Sequence, residues 1–270
     1  MAVSPKATWS FEPGVLLIVF AVGLVYVKWW RQARAGNERH RPGWGRLTLF
    51  MAGLAAVLAA LVSPIDELGS QLMMMHMVQH ILLLDIAPIL AILGLTKVLL
   101  RPATRRLNAI ERKAGFLAHP AFAVVLYAGL MWLWHIPAMY DLALRHANIH
   151  AIEHICFGVA GAVYWWHLLS PIRGRMRLGG MGPVLYMTST KLLVGALGIL
   201  LAFAPTAIYP FYAHHPHYWG LSPREDQNLA GVIMALEQSI VMGIALVYLF
   251  VQMLTESERE AQRKERYEVA

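Results

Sequence analysis

Seven stretches of this chain are apolar over a length that crosses a lipid bilayer or nearly does so, and nothing else in the sequence restricts its folding as severely. An α-helix rises about 1.5 Å per residue and the hydrocarbon core is about 30 Å thick, so a span takes about 20 mostly apolar residues. The stretches cover residues 13–30, 47–62, 72–95, 118–136, 150–169, 183–203 and 229–254, the second being the shortest. Hydrophobic residues make up 58% of the chain and charged ones 14%. An ordinary soluble domain is about half apolar and about a quarter charged, so the composition argues against a water-soluble fold. The first stretch carries Lys28, Arg31 and Arg34 behind its apolar run instead of ahead of it, so it reads as a retained anchor, not a cleaved signal.

The formal charge of +7 is topological. Nineteen of the twenty-three Lys and Arg residues fall in the segments after the first, third and fifth stretches and in the tail after the seventh. The opposite side holds only Lys6, Arg145 and Arg224, and Lys191 lies inside the sixth stretch. Cytoplasmic loops carry the basic excess, which predicts an amino terminus outside and a carboxyl terminus in the cytoplasm. The expected fold class is therefore all-α: a polytopic membrane bundle of seven transmembrane helices, one domain over 1–270, with a charged cytoplasmic tail at 255–270. No nucleic-acid partner is implied, since the basic residues punctuate apolar runs. Trp29, Trp30, Trp134, Tyr140, Trp165, Trp166, Tyr209 and Tyr218 lie near span boundaries and fit interfacial belts. The single cysteine, Cys156, sits in an apolar run, so any metal must use other ligands.

With this topology, nine of the twelve histidines fall at or near the outer face, and His40, His119 and His167 fall inside. His76 and His80 are four apart on the third stretch and share one helical face. His146, His150 and His154 repeat that spacing into the fifth, with Glu153 beside them, and His135 ends the fourth. Imidazole suits copper, zinc and iron, and thioether sulfur favours Cu(I); Met73, Met74, Met75 and Met77 crowd around His76. A lone interfacial histidine is usually a polar tip and methionine is common packing. Polar groups at helical spacing are different, because facing lipid is costly and they turn inward. The pairs His76 with His80 and His150 with His154 are thus candidate ligands, whereas His214, His215 and His217 read as a solvated loop.

Asp85, Lys191 and Glu237 all fall near mid-membrane. Buried ionisable groups there are expensive unless paired, which predicts contact between Lys191 and Glu237 or Asp85, either as a structural clamp or in ion or proton movement.

His76-Met77-Val78-Gln79-His80-Ile81-Leu82-Leu83, followed by Ala87-Pro88 and Leu93-Gly94, resembles the third-helix signature of the CtaG family, assembly factors for caa(3)-type cytochrome c oxidases. Trp134-His135-Ile136-Pro137 with Tyr140-Asp141, His150 with Glu153-His154 and Phe157, and Tyr164-Trp165-Trp166 with Pro171 resemble its middle section. Tyr209-Pro210 with Tyr212, and Asp226-Gln227 with Ala230-Gly231, resemble its later section. The likeness covers about 63–251.

The resemblance implies a non-enzymatic protein of the bacterial inner membrane that matures a haem-copper oxidase. It implies copper held in a histidine-rich pocket on the periplasmic side, received from a periplasmic copper donor and passed to an oxidase subunit. Carried over residue by residue, the ligands are His76, His80, His135, His150 and His154, with Glu153, Asp226 and Met77 in support and the two carboxylates orienting imidazoles. Three rivals stand beside this. Two histidines could be axial ligands of a haem; histidines and an acid could hold zinc and activate water for a hydrolase; or the chain could be a metal-free scaffold.

Overall fold

The computed structural model of the 270-residue chain describes residues 3–36, 41–172 and 178–268. His40 and the basic loop 173–177 lie outside the described residues. Among those described, the architecture is all-helical. The elements are α1 (Pro13–Ala35), α2 (Trp44–Leu61), α3 (Pro64–Gly69), α4 (Met73–Ile81), α5 (Ala87–Gly94), α6 (Lys97–Leu100), α7 (Thr104–Ala114) and α8 (Pro120–Trp134). They continue with α9 (Pro137–Arg145), α10 (Ala147–Leu169), α11 (Gly182–Ala202), α12 (Pro210–Ala213) and α13 (Pro223–Glu268). Between α4 and α5 the helix does not stop; it widens into one π-helical turn, Leu82–Ile86.

All seven apolar stretches are helical, but they are not equally suited to cross a membrane. Five helices are long and apolar enough: α1, α2, the composite Met73–Gly94, α11 and α13 as far as Thr255. The 15-residue α8 reaches span length only together with Thr104–Ala118, from which it bends by 64°, and that pair would make a sixth. The bend falls at His119-Pro120, where proline cannot continue a helix and the His119 Nδ1 accepts from the Ala121 amide at 3.1 Å as a cap. In α10, 23 residues long, four polar ligand-type side chains, His150, Glu153, His154 and His167, dilute the apolar character. The same substitution of polar for apolar residues that made α10 interesting in the sequence makes it the least lipid-like of the long helices.

Local signals set the ends. Pro stands in the first turn of α1, α3, α8, α9, α11 and α12, where its missing N–H is one of the unpaired donors in any case. A capping box opens α13: the Ser222 Oγ accepts from the Glu225 amide at 3.3 Å, and the Glu225 carboxylate accepts from the Ser222 amide at 2.8 Å. This helix starts earlier than the apolar run and continues as a charged helix beyond it.

The core lies where α4, α8, α10, α11 and α13 meet, around Met73, Met77, Leu84, Tyr127, Tyr140, Phe157, Tyr164, Trp165 and Leu201. Helices in a bilayer gain little from hydrophobic association with one another, so close contact through small residues matters more. Three glycines supply it: Gly53 against the Ala87 carbonyl of α5, Gly231 of α13 against Gly198 and Ala202 of α11, and Gly161 of α10 against Leu84 in the π turn. Outside this core, α1 and α2 pack as a pair on the composite helix, with Tyr26 stacked on Phe50 at 3.7 Å and its hydroxyl donating to the Gly94 carbonyl at 2.9 Å. Large apolar side chains face outward along the helices, among them Leu17, Phe20, Leu192, Leu193 and Ile244. The amino-terminal segment crosses one end of the bundle, where Val3 pairs with Tyr218 and Ser10 donates to Asp66 at 2.9 Å.

Candidate metal centre

Two helices bring the candidate ligands together. On α4 the i, i+4 spacing stacks His76 and His80 on the inward face, with ring centroids 4.1 Å apart. On α10, His150 and His154 do the same at 4.1 Å, and Glu153 occupies the face between them. Where the two faces meet, His76 lies 5.2 Å from His150 and His80 lies 6.0 Å from His154. The Glu153 Oε1 stands 3.6 Å from the His80 Nε2 and 3.9 Å from the His76 Nε2. One ligand atom from each of His76, His80 and Glu153 can be chosen so that all three lie within 4.8 Å of one another.

These groups are buried: His76 and Glu153 are fully inaccessible and His80 is 2% exposed. Both nitrogens of His76 and His80, both oxygens of Glu153, and the Nε2 atoms of His150 and His154 lack any hydrogen-bond partner. A buried polar atom left unpaired costs about 1–3 kcal/mol, so this concentration of unpaired atoms marks the cluster as a candidate ligand site. Imidazole nitrogens and a carboxylate oxygen converging at this separation are donor types that a transition-metal ion takes, so His76, His80 and Glu153 could hold one.

His135 joins from the C-cap of α8. Its Nδ1 donates to the Met131 carbonyl at 2.7 Å, which fixes the tautomer and leaves the Nε2 lone pair facing the Met77 sulfur at 3.4 Å. Its ring is 6.1 Å from that of His80. Tyr140, Tyr209 and Tyr212, from α9 and α12 with the residue before it, wall the cluster on the remaining side. The Tyr140 ring lies 5.1 Å from His76, and the Tyr209 hydroxyl donates to the His135 carbonyl at 3.0 Å.

Cytochrome c oxidase caa3 assembly factor (Caa3_CtaG) is the family description that matches, over residues 24–256. The chain belongs to the CtaG family. The match reaches further than the likeness read over 63–251 and takes in the second half of α1. Among similar proteins are Uncharacterized protein ML1998 of Mycobacterium leprae, 24% identical, and Uncharacterized protein Mb0105 of Mycobacterium bovis, 26% identical. Each comparison covers 96% of this chain but 41% of the relative, so the chain spans about two fifths of the length of the curated relatives it matches. No solved structure matches.

Set against this family member's sequence, five expected ligands, His76, His80, His135, His150 and His154, gather in one region, and Glu153 stands inside the cluster, not behind it. Other expectations are corrected. Asp226 makes no hydrogen bond to an imidazole among the described residues; its carboxylate accepts from the Met73 amide at 2.6 Å and the Met74 amide at 3.0 Å. It therefore caps α4 from α13, where Leu72 at the N-cap offers no side-chain acceptor. Lys191 meets neither Glu237 nor Asp85. On α11, Thr190 and Val194 fill the inward face, and one residue on from Thr190 the helix has turned by about 100°, so Lys191 is exposed. His214, His215 and His217 stay in the loop after α12, the first two in contact with Pro210, Phe211, Tyr212 and Tyr218. Tyr140, Tyr209 and Trp165, read as belt residues, are buried to 1%, 2% and 0% exposure.

The capping geometry gives a first prediction. Asp226→Ala removes the acceptor for two amides at the head of α4 and lowers stability by about 1–2 kcal/mol, read as a lower melting temperature of the detergent-purified protein. The candidate ligands themselves are untouched, so any metal affinity the cluster has stays at the wild-type level; an Asp226 that oriented imidazoles would instead lower it.

Proposed function

We propose that the protein is a non-catalytic assembly factor that holds copper between α4 and α10 and hands it to a subunit of a haem-copper oxidase. The observation that carries this reading is the convergence of His76, His80 and Glu153 within 4.8 Å, buried and without partners. Family membership supports the oxidase partner. Copper is favoured over zinc by the second pair beside the cluster: the His135 nitrogen and the Met77 sulfur, 3.4 Å apart, are softer donors suited to Cu(I). A hard end at Glu153 and a soft end at Met77 would let the same cargo shift donors as it is released.

In this reading the chain is a seven-span protein of the bacterial inner membrane, with α8 and α10 completing the five apolar spans. The amino terminus lies on the periplasmic side, supported by the nineteen basic residues on the opposite side. The cluster then faces a periplasmic copper donor, because the amino-terminal segment covers that end of the bundle.

Zinc-dependent hydrolysis is the second reading, favoured by the donor set itself, since two histidines and a glutamate hold catalytic zinc in known hydrolases.

The test is metal analysis of detergent-purified protein loaded with copper, wild type against His76→Ala/His80→Ala, together with oxidase maturation in cells. The expected result is about one copper per wild-type chain, loss of it in the double variant, and loss of oxidase activity. Equal copper in both proteins, or intact maturation in the variant, overturns the reading. Bound zinc with hydrolytic turnover transfers support to the second.

A further inference from the structure

The polar network below the histidine cluster is not used by that cluster. Asp85, 1% exposed, sits in the π turn between α4 and α5. The Tyr127 hydroxyl of α8 donates to its carboxylate at 2.8 Å and the Trp165 indole N–H of α10 at 2.7 Å. From α13, Glu237 lines the same small cavity as Asp85, so the two carboxyl groups face one another across it. The Gln238 amide donates to the Glu237 Oε2 at 2.9 Å and to the Tyr127 hydroxyl at 3.3 Å.

Two carboxylates are acceptors only, so they cannot form a hydrogen bond to each other unless a proton lies between them. Among the described residues no lysine or arginine side chain reaches the pair. The facing groups are Tyr127 from α8, Tyr164 and Trp165 from α10, Glu237 and Gln238 from α13 and His80 from α4, while the one lysine of α11, Lys191, points away. Beside the pair is a cavity of about 10 Å³, room for one water, lined by Met77, His80, Asp85, Glu237 and Gln238 among others. The Gln238 Oε1 and the Glu237 Oε1 have no partner, and Gln238 is 2% exposed. The lining of the cavity thus joins acceptors of Glu237 and Gln238 to His80 and Met77 of the histidine cluster. A π turn inserted at this point in a long helix is a feature that recurs at functional sites.

We propose that Asp85 and Glu237 are a second site, a carboxyl pair that holds one proton and gives it up through the cavity when a cation enters the histidine cluster. The Glu237 O–H bond breaks, the proton passes to a water in the cavity and leaves by way of the cluster end, and the pair is left with one more negative charge. That charge balances the cation in a region where an unbalanced charge is costly. The release step rests on the copper reading; the shared proton does not.

Infrared difference spectroscopy in H₂O and D₂O tests it on the purified full chain without added metal. A protonated carboxyl C=O band that shifts on deuteration is expected at neutral pH in the wild type. Glu237→Gln should abolish it, and Tyr127→Phe, which withdraws one donor from Asp85, should move it without abolishing it. No such band in the wild type, or a band indifferent to both substitutions, overturns the pair. If Glu237→Gln does not fold, the wild-type band and its displacement in Tyr127→Phe still decide. Protons released on titration with Zn²⁺ test the coupling: one more per metal is expected in the wild type than in Glu237→Gln, and equal counts overturn it. A protein that shows the band yet binds no metal refutes the copper reading alone.

Discussion

Glu153→Gln is expected to lower copper affinity on the order of 100-fold while leaving the metal-free protein at least as stable as the wild type. The amide has nearly the shape of the carboxylate, so packing at a fully inaccessible position on α10 is preserved. What changes is the charge. Glu153 stands 3.9 and 3.6 Å from His76 and His80, the one acid among the described residues in ion-pair range of both, and both its oxygens lack hydrogen-bond partners. In the proposed copper site, removing the anionic member of the set of three costs at least as much as disturbing a residue that orients a ligand, which is worth roughly 10- to 100-fold. In the metal-free state the same carboxylate is a buried polar group without compensation, and the neutral amide is cheaper to bury. Isothermal titration with copper reads the affinity, and thermal unfolding with and without metal reads the linkage. Stabilisation by bound ligand follows its dissociation constant, so the wild type should gain melting temperature on loading and the variant should not. Unchanged affinity in Glu153→Gln would move the site away from the α4–α10 junction.

The positions of the helices were legible because a span is a long, averaged signal: many apolar residues in a row tolerate a few exceptions. The convergence of the histidines was legible because i, i+4 pairs on two helices, His76 with His80 and His150 with His154, repeat a pattern that lipid exposure would penalise. Lys191 was misjudged because depth along a helix was read without angle, and a single residue turns the side chain by about 100°. The π turn has no sequence signature of its own, so the placement of Asp85 against Tyr127 and Trp165 could not be derived from spacing. Asp226 acts across 153 residues on a helix start that lacks its own cap, a long-range pairing that local patterns do not carry. Trp165 and Tyr127 could have been suspected from one fact: a carboxylate at mid-membrane needs donors, and aromatic residues with an N–H or O–H at matching depth are the ones that can be buried beside it.

The second large effect concerns how the two helices that carry the histidine cluster are held in register. Gly161 of α10 lies against Leu84 of the π turn so closely that an added Cβ would overlap the Leu84 carbonyl oxygen and come within 2.7 Å of its carbonyl carbon and 3.0 Å of its Cα. These are backbone atoms of a buried turn, so no rotamer change relieves the clash. Gly161→Val should therefore cost about 3 kcal/mol or more and prevent accumulation of monodisperse protein in detergent. Gly158→Ala is the matched control on the same helix, since an added Cβ there meets nothing within 4 Å. It should keep the fold and gain up to about 1 kcal/mol from the better helix former. The milder Gly161→Ala tests what the contact is for. If any of it folds, α10 must stand off from the composite helix, which carries Glu153 away from His76 and His80. Copper binding should then fall further than the loss of folded protein accounts for, measured per mole of monodisperse chain. Equal binding per folded chain in Gly161→Ala and wild type would mean that the register of α10 against the π turn does not set the geometry of the ligands.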